Sequence, residues 1–208
     1  MFDNKPGVRA LFSGVILSAI AALCTAGVLY AEQDTSPHIQ ANRDRNEQML
    51  IDSLLPDVKK QAQGKVTYHC KLISDRRIGK NMKAYIARDE SGKTLGYISS
   101  FSTNRGYSVP LILIGGMDSN GRITRIDIQL SRETPGIGDK VERRRGNYLD
   151  QFDGLAVEDR RWDVKKFGGD FDYITGATVT SRALVLASKD FIEVLKATDF
   201  DSLRDCPK

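Results

Sequence analysis

Histidine is almost absent from these 208 residues. His38 and His69 are the only two, and Cys24, Cys70 and Cys206 never approach a Cys-x-x-Cys spacing. Structural zinc draws on clustered Cys and His donors, so no metal site is expected. Aromatic residues are sparse at 8%. The basic clusters Arg143-Arg144-Arg145 and Arg160-Arg161 through Lys165-Lys166 are accompanied by Glu142, Asp159 and Asp163 and lack regular aromatic interleaving. That pattern argues against a nucleic-acid surface and leaves a solvated face or a docking patch for a protein partner. Neither an internal repeat nor a low-complexity segment appears, which removes solenoids and unstructured linkers from consideration.

Charge is missing altogether between Ala10 and Ala31, where Leu11, Phe12, Val15, Ile16, Leu17, Ile20, Leu23, Val28 and Leu29 make an apolar run. At 1.5 Å per residue such a helix covers about 33 Å, enough for a hydrocarbon core of about 30 Å. Residues 10–31 are therefore read as one transmembrane helix after a short tail, 1–9. A cleaved signal peptide is the competing reading, but its apolar region is shorter and Leu29-Tyr30-Ala31 is a poor cleavage site. Lys5 and Arg9 precede the span while Glu32 and Asp34 follow it. The positive-inside rule puts the N-terminus in the cytoplasm and everything after Ala31 outside, in the periplasm if the host membrane is a Gram-negative inner membrane. The span has no Asp, Glu, Lys or Arg to carry an ion.

An exported domain sits in an oxidising compartment, so Cys70 and Cys206 are candidates for a disulfide. Residues 32–63 read as a stalk with a helical segment carrying Met49, Leu50, Ile51, Leu54 and Leu55, which Pro56 should end. The domain proper is expected over 64–208. β-prone runs occur at 66–73, 82–87, 94–100, 109–114 and 123–130, separated by turn signals at Ser91-Gly92, Asn104-Arg105-Gly106 and Asp118–Gly121. In the last run Ile126, Ile128 and Leu130 alternate with Arg125, Asp127 and Gln129, the mark of a sheet with one wet face. Helices are expected at about 141–152 and after Thr180. The fold class is α+β, with mainly antiparallel strands and segregated helices.

Two motifs carry chemistry. In Asp172-Tyr173-Ile174-Thr175-Gly176-Ala177-Thr178-Val179-Thr180-Ser181, small and hydroxyl residues crowd a helix start whose stripe is Leu184, Ala187, Ser188, Phe191, Val194 and Leu195. Free N–H groups and the helix dipole suit a phosphate there, although threonine and serine also serve as plain N-caps. The second motif, Glu133-Thr134-Pro135-Gly136-Ile137-Gly138, follows the best strand, where on its own it would be a rigid strand-to-helix turn.

Together, and in this order, the two resemble the FMN-binding domain of the G subunit of Rnf electron transport complexes, with the C subunit of sodium-pumping NADH:quinone reductase as the next relative. Tyr173, Ile137 and Ser108 depart mildly from the usual residues. The resemblance implies FMN joined through its phosphate to Thr178 by a flavin transferase. Asp172 would serve recognition by the transferase or deprotonation of the threonine, and Gly176 and Ala177 would give access. Thr175, Val179, Thr180 and Ser181 belong to the same cofactor site, and Glu133, Thr134, Gly136 and Ile137 would line the flavin. It further implies a membrane-anchored electron carrier without a catalytic site of its own. Its partners would be the integral-membrane and iron-sulfur subunits of a complex that couples electron flow between ferredoxin and NAD to ion transport. Rival readings are a C-type subunit, a tethered periplasmic flavin reductase, and a domain that binds a partner without redox chemistry.

Overall fold

The computed structural model describes residues 6–57, 62 and 64–207 and divides into two compact units, Met1–Leu50 and Ile51–Lys208. Helix α1 spans Pro6–Leu54. Its stretch Phe12–Ser36 is 25 residues long, apolar enough to cross a membrane, and buries none of its side chains. Phe12, Leu17, Leu23 and Val28 all point outward, an arrangement that a lipid phase satisfies and water does not. This span overlaps the expected one and runs on past Glu32 and Asp34. The helix ends at Leu54, because Leu55 precedes Pro56 and is disfavoured in helical geometry.

In the second unit five strands, β1 (Thr67–Asp75), β2 (Gly79–Arg88), β3 (Thr94–Thr103), β4 (Leu111–Asp118) and β5 (Ile123–Leu130), form one sheet in sequence order. Every pairing is antiparallel. Helix α2 (Thr178–Ala197) packs on one face, so the α+β expectation holds. Each expected β-prone run overlaps a strand. The fourth begins at Leu111, after Pro110, which has no N–H to give to a ladder. In β5, Ile126 is buried and Ile128 partly so, but Leu130 is exposed at the strand's end.

The consecutive glycines of β4 serve opposite faces. A Cβ on Gly115 would stand 3.0 Å from the Phe191 ring, which stacks on Phe101 at 4.7 Å between centroids. On the other face a Cβ on Gly116 would collide with the Leu54 carbonyl, which instead accepts a hydrogen bond from the Thr124 hydroxyl. Ile51, Leu54 and Leu55 are buried. The folded unit thus takes in residues that the sequence suggests are stalk, well before Gly64.

Segment Val141–Phe152, expected as a helix, is two short 3-10 turns, Gly138–Val141 and Tyr148–Phe152. Gly146-Asn147, two poor helix formers, break it. Arg143, nearly buried, gives its Nε to the Ile126 carbonyl at 2.7 Å and pairs with Asp150 and Asp153. It thereby caps the outer edge of β5, together with Leu155, whose carbonyl takes the Ile123 N–H at 2.8 Å.

The C-terminal tail covers the opposite sheet edge. Leu72 N–H donates to the Arg204 carbonyl at 2.9 Å and Cys206 N–H to the Cys70 carbonyl at 3.2 Å. Cys70 and Cys206 are joined as a disulfide across a sequence separation of 136. Paired edges do not recruit foreign strands, and so long a covalent loop restricts the unfolded chain strongly. Replacing both cysteines by serine is expected to cost about 2–4 kcal/mol, lowering Tm by roughly 5–15 °C. Thermal unfolding followed at Trp162 checks this, and a melting temperature unchanged by reductant would contradict it.

Candidate functional site

Leaving β5, the chain turns sharply around Thr134, whose carbonyl accepts the N–H groups of Ile137 at 3.2 Å and Gly138 at 2.9 Å. Gly136 adopts φ +77° and gives its N–H to the Asp139 carboxylate at 2.7 Å. This turn sends Glu133 inward, where it is buried. One carboxyl oxygen accepts the Thr180 hydroxyl at 2.8 Å and the other accepts the Ser108 N–H at 3.1 Å. A Cβ on Gly138 would stand 2.8 Å from the Glu133 side chain, so glycine makes the room. A single carboxyl group therefore ties the loop before β4, the turn after β5 and the first turn of α2.

That first turn is open. The residue preceding α2 is Ala177, and no side chain caps the helix. The first helical bond runs from Ser181 N–H to the Ala177 carbonyl at 2.9 Å, so the N–H groups of Thr178, Val179 and Thr180 lie ahead of it with the positive end of the dipole. Most helices place Ser, Thr, Asp or Asn at this position. Here an alanine leaves the end ready for an anion. Gly176, at φ +87°, turns the chain into the helix with its Cα beside Ile137.

The hydroxyls divide by role. Thr180 is buried and engaged with Glu133. Ser181 is buried and accepts the Ile174 N–H at 3.0 Å. Thr178 is half-buried, and among the described residues its hydroxyl makes no hydrogen bond. It lines a cleft of 560 Å³ together with Glu133, Thr134, Ile137, Gly176, Ala177, Val179 and Thr180, which unites residues from both motifs. That volume lies within the range of small-molecule sites.

Not every expected residue faces this cleft. Gly136 shapes the turn without lining it, Thr175 is exposed beyond it, and Asp172 lines a different cleft with Tyr148 and Gln151. There Asp172 pairs with Lys165 at 2.6 Å, and its N–H donates to the Gln151 side chain at 2.9 Å. Tyr148 clamps this segment, its one hydroxyl proton shared between the carbonyls of Asp172 at 3.1 Å and Ser181 at 3.3 Å. Burial pushes its phenol up to about 12, so it remains a donor throughout the physiological range.

Three lining residues were not among the expected site residues: Tyr107, Gly138 and Lys166. In sequence Gly106-Tyr107 follows a turn signal and resembles one of the family's glycine-marked strands, which gives Tyr107 no role of its own. Lys166 lies in a charged run, and only the fold carries it to α2. Phe152, Trp162 and Phe171 pack together, Arg161 and Asp170 close the loop at 2.8 Å, and Lys166 rides at its tip. Glu133→Ala would leave the buried Thr180 hydroxyl and the part-buried Ser108 N–H without their acceptor, at an expected cost of roughly 2–3 kcal/mol. Glu133→Gln, which retains an acceptor, should cost about 1 kcal/mol; chemical denaturation of the two variants checks the order.

Residues 106–193, which include every residue lining this cleft, match the family of FMN-binding domains. Over nearly the whole chain the likeness is more particular. The G subunit of the ion-translocating oxidoreductase complex of Shewanella baltica is 33% identical over 186 residues, covering 86% of each chain. The protein of the same name from Salmonella typhi is 35% identical over 180 residues, covering 85% of this chain and 86% of that one. The chain belongs to this family of G subunits. The crystal structure of Shewanella oneidensis NqrC is 22% identical and covers 62% of this chain and 70% of that one, with a TM-score of 0.44.

Proposed function

We propose that this protein is the membrane-anchored, electron-carrying flavoprotein subunit of an Rnf-type ion-translocating oxidoreductase, with FMN esterified through its phosphate to the Thr178 hydroxyl. The observation that carries the attachment is the division of hydroxyls. Thr180 and Ser181 are bound within the protein, whereas Thr178 lies in the cleft at an uncapped helix start. The same donors suit the group: a phosphate at the free N–H groups, a planar ring among Ile137, Val179 and Tyr107, and Lys166 as a countercharge. When bound, the flavin supplies reversible acceptance and release of electrons, while the protein holds it in place and tunes its surroundings.

Asp172 pairs with Lys165 and lies outside the Thr178 cleft, which supports recognition by the flavin transferase over deprotonation of the threonine. The paired cysteines favour an oxidising compartment. With the basic residues ahead of the span, this supports a periplasmic domain on a bacterial inner membrane, N-terminus in the cytoplasm. A domain boundary near the end of α1 fits the same picture. The tether keeps flavin at high effective concentration beside the integral-membrane and iron-sulfur subunits with which it would exchange electrons. Coexpression with a flavin transferase, followed by peptide mass mapping of the fluorescent band, tests the assignment. An adduct on Thr178 is expected, and an adduct on any other residue refutes it.

A further inference from the structure

Beside the cleft that Glu133 and Thr134 line lies a second one of 360 Å³, walled by Phe167, Ala183, Leu186, Arg105 and Arg182. The two share Lys166, Thr178 and Val179. Thr178 therefore stands on the ridge between them. Their chemistry differs. The first presents the Glu133 carboxyl group, Thr134 and the exposed phenol of Tyr107.

The second presents flat and apolar surface. Arg182 lies 4.4 Å from the centroid of the Phe167 ring and is held by Asp163 at 2.7 Å, while Asp190 holds Arg105 at 2.7 Å. The ion pairs fix the two guanidinium groups, yet Phe167 remains 53% exposed and Val179 52% exposed. Contiguous apolar surface left to water marks a binding region, and a planar aromatic ring is the group that an aromatic face with a stacked guanidinium receives best.

We propose that the second cleft is a second seat for the isoalloxazine ring of a flavin esterified at Thr178, so that the tethered ring alternates between a hydrogen-bonding seat and a stacking seat. This rests on the reading of Thr178 as the attachment residue. The exchange breaks no covalent bond, since the flexible sugar-phosphate arm pivots at one oxygen. Both seats are presented to the ring at the high effective concentration of an intramolecular group, and two arrangements of similar free energy are then both populated. A carrier that must meet a donor and an acceptor gains two outward directions from one attachment point.

Time-resolved flavin fluorescence of the loaded full-length protein in detergent tests this. A tyrosine phenol or tryptophan indole touching the ring quenches its emission by electron transfer, and a phenylalanine ring does not. Two decay components are expected, a short one from rings against Tyr107 and a longer one from rings against Phe167. Tyr107→Phe should lengthen only the short component, and Phe167→Trp should shorten only the long one. Both replacements keep an aromatic ring on a side chain more than half exposed, so folding is preserved. A decay unchanged by Phe167→Trp, or moved as a whole by Tyr107→Phe, overturns the second seat while leaving the attachment at Thr178 standing. A wild-type protein whose flavin maps elsewhere removes the attachment reading, and the second seat with it.

Discussion

Thr178→Ala is expected to abolish the denaturation-resistant flavin fluorescence of the coexpressed protein while moving its unfolding free energy by no more than about 0.5 kcal/mol. The two effects separate because the Thr178 hydroxyl makes no hydrogen bond among the described residues. Alanine is also at least as good a helix former. Thr178→Ser, which keeps an oxygen at the same place, should retain the adduct. Thr180→Ala makes the reverse case. It removes the donor to the buried Glu133 carboxyl and should cost roughly 1–2 kcal/mol, yet the flavin should still be attached. Thr175→Ala, at an exposed residue outside the cleft, should change neither readout. Four variants scored in one fluorescent gel and one denaturant series thus distinguish a modified hydroxyl from a structural one. Loss of fluorescence in Thr180→Ala with retention in Thr178→Ala would reverse the assignment.

How far the sequence anticipates this site depends on whether local or distant residues decide each feature. The β5 run was legible because its alternation is a property of neighbours, and it overruns only at Leu130, where the strand leaves the shelter of the core. Helix α2 was legible for the same reason, its expected stripe from Leu184 to Leu195 being buried throughout. The segment 141–152 was not, since its apolar spacing fits a helix while Gly146-Asn147 and Arg143, which reaches to Ile126, Asp150 and Asp153, decide otherwise. Gly115 and Gly116 were visible as glycines, but the reasons for them lie far away in the chain, at Phe191 and Leu54. Likewise, the roles of the hydroxyls after Gly176 are set by Glu133 and Ile174. Composition alone cannot tell which of those oxygens stays available.

Phe191→Ala should be the most damaging single core substitution, costing about 3–5 kcal/mol, with a fall in Tm on the order of 10 °C. Phe191 is fully buried, stacks on Phe101 and fills the gap that Gly115 leaves in β4. Removing the ring leaves a cavity bounded by sheet backbone, which cannot collapse inward without breaking the ladder. The glycine supplies an internal check. Gly115→Ala alone would press a methyl group to 3.0 Å from the ring, an overpacking expected to cost about 1–3 kcal/mol. In a Phe191→Ala background that clash is gone and the methyl meets only the Phe101 ring, at 3.2 Å, so the second substitution should cost much less than it does alone. The coupling between the two changes should therefore be of opposite sign to either single effect and at least about 1 kcal/mol. Additive losses would mean that Phe191 does not pack against this strand. Because Phe191 joins β3 and β4 to α2, the helix whose first turn carries Thr178, its removal should also slow flavin attachment at a temperature where the wild-type domain is fully folded.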